Sequence, residues 1–319
     1  MGGFCLLALC GTIFWPLVKH GENTRSGLCL WMALIGYLTI SYLLLNRLLN
    51  QMLNPEPPLI NDSTAPTLMP ARNPNSNIYE TRRLLDEYLL FHYGQPAEVL
   101  PWENGPREAL GFPVRTVMEL IDLPRTLCEA VALDLGCAVG RSSFELANFG
   151  VSVLGIDYSQ SFVDAAAALA RDGSMEYERV DEGSARTALV AKVPENLRRD
   201  RVRFEQGDAM NLRSDLGDYD IVHAANLLCR LTDPLKLIER LPSLVRPGGQ
   251  LLLTTPCTWL EEFTPRGNWP QGSTREWLTS LLEPHFDLSK TCDMPFLIRE
   301  HARKYQWSVA LGMRWRRKV

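Results

Sequence analysis

Apolar positions recur at helical spacing over residues 78–93 (IYETRRLLDEYLLFHY), where Leu84, Leu85, Tyr88, Leu89 and Phe91 predict an amphipathic helix that Gly94 stops. Residues 113–120 read as a second lead-in helix. The pattern then shifts to short apolar runs. AVALDL (130–135), VSVLGI (151–156), RVRFEQ (201–206), YDIVH (219–223) and QLLLTT (250–255) predict buried strands, with 142–149 as the crossover helix between the first two. Alternation over 286–288, 296–298 and 305–313 predicts antiparallel strands at the end of the same sheet. The sum is an α/β, Rossmann-like fold: a mostly parallel sheet with an antiparallel last strand and helices on both faces. Residues 172–200 interrupt the alternation as an insertion.

The first part of the chain follows a different pattern. Residues 27–45 contain no charge and are flanked by Arg25 and Arg47, long enough for a helix to cross a bilayer core of about 30 Å. A shorter apolar run, 4–18, is interrupted by Pro16, and 54–77, with six prolines, reads as a linker. The expected organisation is an apolar anchor with one or two helices (1–53), a linker (54–77) and a catalytic domain (78–319), with residues 28–49 as the membrane contact and the domain on the cytoplasmic side. If the anchor stems from an over-long reading frame, the protein is cytoplasmic.

Composition narrows the partners. A net charge of -4 gives no reason to expect nucleic acid. The densest basic cluster, RWRRK at 314–318, reads as a solvated end. Eight cysteines without a C-x-x-C pair indicate neither a metal site nor a disulfide framework.

The chemistry concentrates around LDLGCAVGR (133–141). A glycine turn between strand and helix lets backbone approach a ligand closely. Asp157, at the tip of the next strand, lies 21 residues after Gly136, the spacing of an acid that accepts from ribose hydroxyls. That much indicates an adenosine cofactor. In a dinucleotide fold the third glycine would fall at Arg141, where helix and strand must pack tightly. The pattern D-x-G-x-x-x-G, with Asp134, Gly136 and Gly140, instead resembles the first motif of class I S-adenosylmethionine methyltransferases. Gly207-Asp208-Ala209 resembles the adenine contact of that family, and RPGG (246–249) its turn before the fifth strand. The resemblance implies S-adenosylmethionine as cofactor, held by Asp134, Gly136, Ala138, Gly140, Asp157, Tyr158, Asp208, Ala209, Ala225 and Asn226.

Longer strings carry a narrower resemblance. NIYETRRLLDEYLLFHYG, HAANLLCRL, TTPCTWLEEFTP and PFLIREHARKYQWSVA are similar to the methyltransferase domain of the ovothiol-biosynthesis enzyme, the 4-mercaptohistidine N1-methyltransferase family, over residues 77–315. This implies methylation of an imidazole nitrogen of 5-thiohistidine, with a separate sulfoxide synthase supplying the substrate, since nothing in this chain resembles one. An amino-acid zwitterion needs a guanidinium, an acid and a flat apolar wall. Arg82 or Arg299 is expected to hold the carboxylate, Glu261 or Glu262 the ammonium, and Tyr79 and Trp259 the ring. His223 or His301 is the candidate base, with Glu262 as a third candidate for a catalytic role. The alternatives are a methyltransferase for another small molecule, a lipid or a quinone, and a membrane-tethered cofactor-binding protein without catalysis.

Overall fold

In a computed structural model, which describes residues 79–122 and 130–319, the short apolar runs become adjacent strands of one sheet. The elements that place the site are, in chain order, helix α1 (Arg82–Tyr93), the short helix α2 (Pro96–Val99), α3 (Phe112–Met118), β1 (Val131–Leu135), α4 (Arg141–Ala147), β2 (Ser152–Asp157), α5 (Gln160–Asp172), β3 (Ser174–Glu182), β4 (Ala185–Lys192), β5 (Val202–Gln206), β6 (Tyr219–Ala225), α6 (Pro234–Leu244), β7 (Val245–Thr255), α7 (Thr274–Leu282), β8 (Phe286–His301) and β9 (Lys304–Arg317). The sheet order is β5-β2-β1-β6-β7-β9-β8. Its first five strands are parallel, and β9, between β7 and β8, runs antiparallel to both, so that β8 points the same way as the first five. The chain steps outward from β1 to β2 and later returns to the other side of β1 as β6. This leaves a crevice at the carboxyl ends of β1 and β6, the usual ligand position in open α/β sheets.

Strand alternation feeds two cores. On β1, Ala132 faces one and Leu133 and Leu135 the other; on β7, Leu252 is set against Leu251 and Leu253. Leu89 of α1, Val117 of α3, Phe144 of α4 and Phe162 of α5 cover the first face, and Leu241 of α6 and Leu278 of α7 the second. Glycine is required at Gly140, which caps α4 in the left-handed region (φ 84°). A Cβ there would lie 2.6 Å from the Phe204 ring, so α4 can approach the sheet only without a side chain.

Two expectations are corrected. The tail read as solvated is part of β9, where Trp315 is fully buried in the second core. The flanking arginines alternate to the other side, with Arg314 and Arg316 paired to Asp122. R-W-R-R is the end of an interior strand, paired to β7 and β8, whose charges hide its period of two. The segments 286–288 and 296–298 are one continuous strand, β8, whose polar interval stays paired to β9 from Lys290 to Asp293, after a bulge at Ser289.

The insertion is an antiparallel hairpin, β3 with β4, forming its own two-stranded sheet. Tyr177 of β3 is buried in the first core, and the Asp181 carbonyl accepts from Ala302 N at 2.8 Å. The predicted anchor and linker, 1–77, lie outside the described residues. Among the described residues, no helix is long and apolar enough to cross a membrane.

Candidate active site

The turn after β1 is held by the end of β2. Gly136 N and Cys137 N both donate to Ile156 O (2.8 and 3.2 Å), and Gly136 takes the left-handed region at φ 67°. Ala138 also has positive φ, 47°, a conformation that costs a non-glycine residue about 1–3 kcal/mol. Its N–H donates to Asp157 Oδ2 at 2.8 Å, while Ser159 N donates to Oδ1 at 2.9 Å. Burial pushes the Asp157 carboxyl up to about 6, despite these bonds and with the nearby Asp134 adding to the rise. Asp208, after β5, accepts from Met210 N at 2.8 Å through Oδ1. After β6, Asn226 is again left-handed, φ 54°, and its Oδ1 accepts from Thr254 Oγ1 at 3.0 Å.

These strand ends open onto a cavity of about 290 Å³. Of the residues expected to hold the cofactor, Gly136, Ala138, Asp157, Tyr158, Asp208, Ala209, Ala225 and Asn226 line it. Asp134 and Gly140 do not. Asp134 lies one layer behind, 1% exposed, and accepts from Ser143 Oγ at 2.6 Å.

The far wall is aromatic. Tyr79 and Tyr88 pack edge-on with centroids 6.4 Å apart, and both contact Phe162. Tyr79 is set by bonds to the start of α5: Ser159 Oγ donates to Tyr79 O at 3.0 Å, and Glu80 accepts from Gln160 N and from Ser161. Burial raises the Tyr79 and Tyr88 hydroxyls above the ordinary phenol range, with the Arg230 charge acting in the opposite direction. His92, stacked on Tyr88, is lowered to about 3 by burial and the Arg141 charge. It is therefore a neutral ring at physiological pH.

The expected acceptor and base residues divide. Tyr79 and His223 line the cavity; Arg82, Trp259, Glu261, Glu262, Arg299 and His301 do not. His223 and Asp134 are register partners on β6 and β1. His223 Nδ1 meets Asp134 Oδ1 at 2.7 Å and Nε2 meets Thr116 Oγ1 at 3.0 Å. Both ring nitrogens are therefore engaged, and neither offers a free lone pair to a substrate. Arg82 pairs with Asp86 on its own helix. Arg299 is 4% exposed and bound to Glu98 O and Asp181 beneath the β3–β4 hairpin. Trp259 donates to Thr274 Oγ1, Glu261 pairs with Arg266 at the surface, and His301 Nδ1 accepts from Arg303 N at the β8–β9 turn. Glu262 is exposed, near enough for its charge to bear on Tyr79.

Sequence reasoning missed Arg230 and Phe263, both of which line the cavity. Arg230 ends a 3-10 turn, Leu228–Arg230, directly after β6, and its guanidinium lies 4.2 Å from the Phe263 ring centroid. Its position within AANLLCRL was the available signal.

A family model described as a methyltransferase domain matches residues 113–289. The ubiquinone biosynthesis O-methyltransferase of Coxiella burnetii is 28% identical over 143 residues, covering 45% of this chain and 50% of the relative. The trans-aconitate 2-methyltransferase of Deinococcus radiodurans is 30% identical over 153 residues, 47% of this chain and 46% of the relative. The chain thus spans about half the length of these curated relatives. Among solved structures, magnesium protoporphyrin IX methyltransferase from Synechocystis, with bound S-adenosylmethionine, covers 60% of this chain and 71% of its own, at 19% identity and a TM-score of 0.39.

Proposed function

Because the chain belongs to the family of methyltransferase domains, with S-adenosylmethionine as its methyl donor, we propose that it methylates an imidazole nitrogen of 5-thiohistidine to form ovothiol. The observation that carries a small acceptor is that one cavity joins the strand ends bearing Asp157 and Asp208 to the chamber of Tyr79, Tyr88 and Phe263. Donor and acceptor would share a single desolvated space. The imidazole acceptor itself rests on the resemblance of HAANLLCRL and PFLIREHARK.

The residues fit the donor. Asp157, ionised above pH about 6, would accept from ribose hydroxyls while staying tied to the turn. Asp208 retains an oxygen, Oδ2, beyond its bond to Met210 N, available to an exocyclic amine. Gly136 leaves its backbone open where a Cβ would approach Leu227 at 3.0 Å. When bound, S-adenosylmethionine supplies a methyl group on a sulfonium, poised for in-line displacement. The protein's part is chiefly alignment and exclusion of water: the chamber rings orient a planar acceptor whose lone-pair nitrogen would take the methyl as S-adenosylhomocysteine leaves, and the proton on the other ring nitrogen would pass to solvent, since His223 is fully engaged and burial disfavours the protonated form of His92. On this reading a separate sulfoxide synthase supplies the substrate, and residues 28–49 anchor the domain on the cytoplasmic side of a membrane.

The test is incubation of the purified protein with 5-thiohistidine and S-adenosylmethionine, followed by mass spectrometry. An N-methylated product supports the reading. Absence of product from protein that binds S-adenosylhomocysteine sinks it. The apolar chamber and the likeness to a ubiquinone-pathway O-methyltransferase favour a phenolic quinone precursor as the second reading, assayed in the same way.

A further inference from the structure

We infer that Arg230 holds a carboxylate on the methyl acceptor. The inference rests on the reading of this cavity as a methyl-transfer site and narrows the class of acceptor it takes.

Arg230 is the one arginine or lysine among the described residues that lines the cavity. Its Nη1 is buried and has no hydrogen-bond partner. Among the described residues, every other buried or half-buried arginine has an acid or a carbonyl as partner: Arg141 has Glu145, Arg201 has Gly150 O, and Arg299 has Asp181 and Glu98 O. Arg230 has only the face of Phe263. Stacking of this kind satisfies the flat face of a guanidinium and leaves its rim of N–H donors unspent. A charge withdrawn from water in this way is costly unless something pairs with it, and the side chain points into the space where an acceptor would sit.

The acids of the cavity do not meet this need. Asp157 is bound to Ala138 N and Ser159 N, Asp208 to Met210 N, and neither lies within ion-pair distance of Arg230. They do limit what can. Two acids lining the same cavity oppose a dianionic group such as a phosphate monoester, and a lone guanidinium gives it one cation. A monoanionic carboxylate matches a single guanidinium rim, with two parallel N–H···O bonds.

The placement suits an acceptor clamp. The 3-10 turn carrying Arg230 is pinned by the buried Leu228 and Cys229, and Arg230 N donates to Leu227 O at 2.8 Å. The opposing wall is Tyr79 and Tyr88, whose hydroxyls feel the Arg230 charge. A ring held between these tyrosines and Phe263 would have its carboxylate at Arg230. Arg82 and Arg299, expected for this part, are spent on Asp86 and Asp181.

The experiment titrates the full-length protein, saturated with S-adenosylhomocysteine, with imidazole-4-acetate and with imidazole-4-ethanol, which lacks the carboxylate, by calorimetry at one fixed pH. The wild type is expected to prefer the carboxylate by about ten- to a hundredfold, the worth of one charge-assisted contact. Arg230→Gln should abolish that preference and Arg230→Lys retain part of it, while affinity for S-adenosylhomocysteine stays the same in all three proteins. A wild type that binds both probes alike, or neither, overturns the inference; so does a preference that survives in Arg230→Gln. A loss of S-adenosylhomocysteine affinity in Arg230→Gln would assign the guanidinium to the donor and overturn it equally. Turnover of 5-thiohistidine is read separately, so that reading can fail while the carboxylate preference and its loss stand.

Discussion

The backbone N–H of Ala138 donates to the carboxylate of Asp157 at 2.8 Å, tying the turn after β1 to the tip of β2. Because Ser159 N binds the other oxygen, both oxygens must be acceptors. Asp157→Asn would turn an amide donor toward one of two backbone N–H groups and remove an acceptor for ribose. Affinity for S-adenosylhomocysteine, measured by calorimetry, should fall on the order of a hundredfold. Unchanged affinity would exclude Asp157 from donor binding.

The same carboxyl sets a pH dependence. Burial pushes it up to about 6 from an ordinary 3.8, so the ionised form is lost as pH falls through about 6. S-adenosylhomocysteine affinity should be level above about pH 7 and weaken by up to about tenfold per unit below 6. Folding of the unliganded protein carries the opposite sign. The native state binds this proton more tightly than the unfolded chain, so the group's contribution to stability is fullest below about 3.8 and is lost as pH rises through about 6. Titrations at pH 5 to 8 check the first, and denaturant melts over the same range the second.

Gly140→Ala places a methyl group where a Cβ would lie 2.6 Å from Phe204 Cζ and 3.2 Å from Ala166 Cβ, on backbone at φ 84°. Strain and overpacking together should cost about 2–4 kcal/mol. Since Gly140 does not line the cavity, the loss should appear as a lower unfolding midpoint, with little change in donor affinity for the protein that remains folded.

His223→Ala removes the ring that joins Asp134 to Thr116 and leaves a carboxylate buried without it. Stability should fall by about 3 kcal/mol, as measured by denaturant unfolding. The pH–rate profile of the surviving activity should keep its shape, because no ring nitrogen is free to act as base. Disappearance of one limb of that profile would restore His223 as the base.

Residues whose placement is set locally were legible in the sequence, and those whose placement depends on tertiary partners were not. Asp157 and Gly136 could be read because a strand end and a tight turn impose their own spacing. Asp134 looked like a cofactor residue by motif, but the register of β1 with β6 sets it against His223. Arg299 looked free in REHARK, yet Asp181, which binds it, belongs to a hairpin 118 positions earlier. Arg230 was passed over for the converse reason: a cation is informative when nothing pairs with it, and pairing is a property of the folded chain. Trp315 shows the same limit in the core, where local charge density concealed a fully buried indole.

The lining residues expected to hold the donor fall in one stretch, 136–226, whereas the chamber opposite, apart from Phe162, is drawn mainly from both flanks: Tyr79 and Tyr88 before it, Phe263, Phe296 and Ile298 after it. The two tasks are thus separable in inheritance. Substitutions at the flanks can explore new acceptors while the donor machinery remains intact, so a lineage built on this chain can change what it methylates without passing through a state that has lost the ability to methylate.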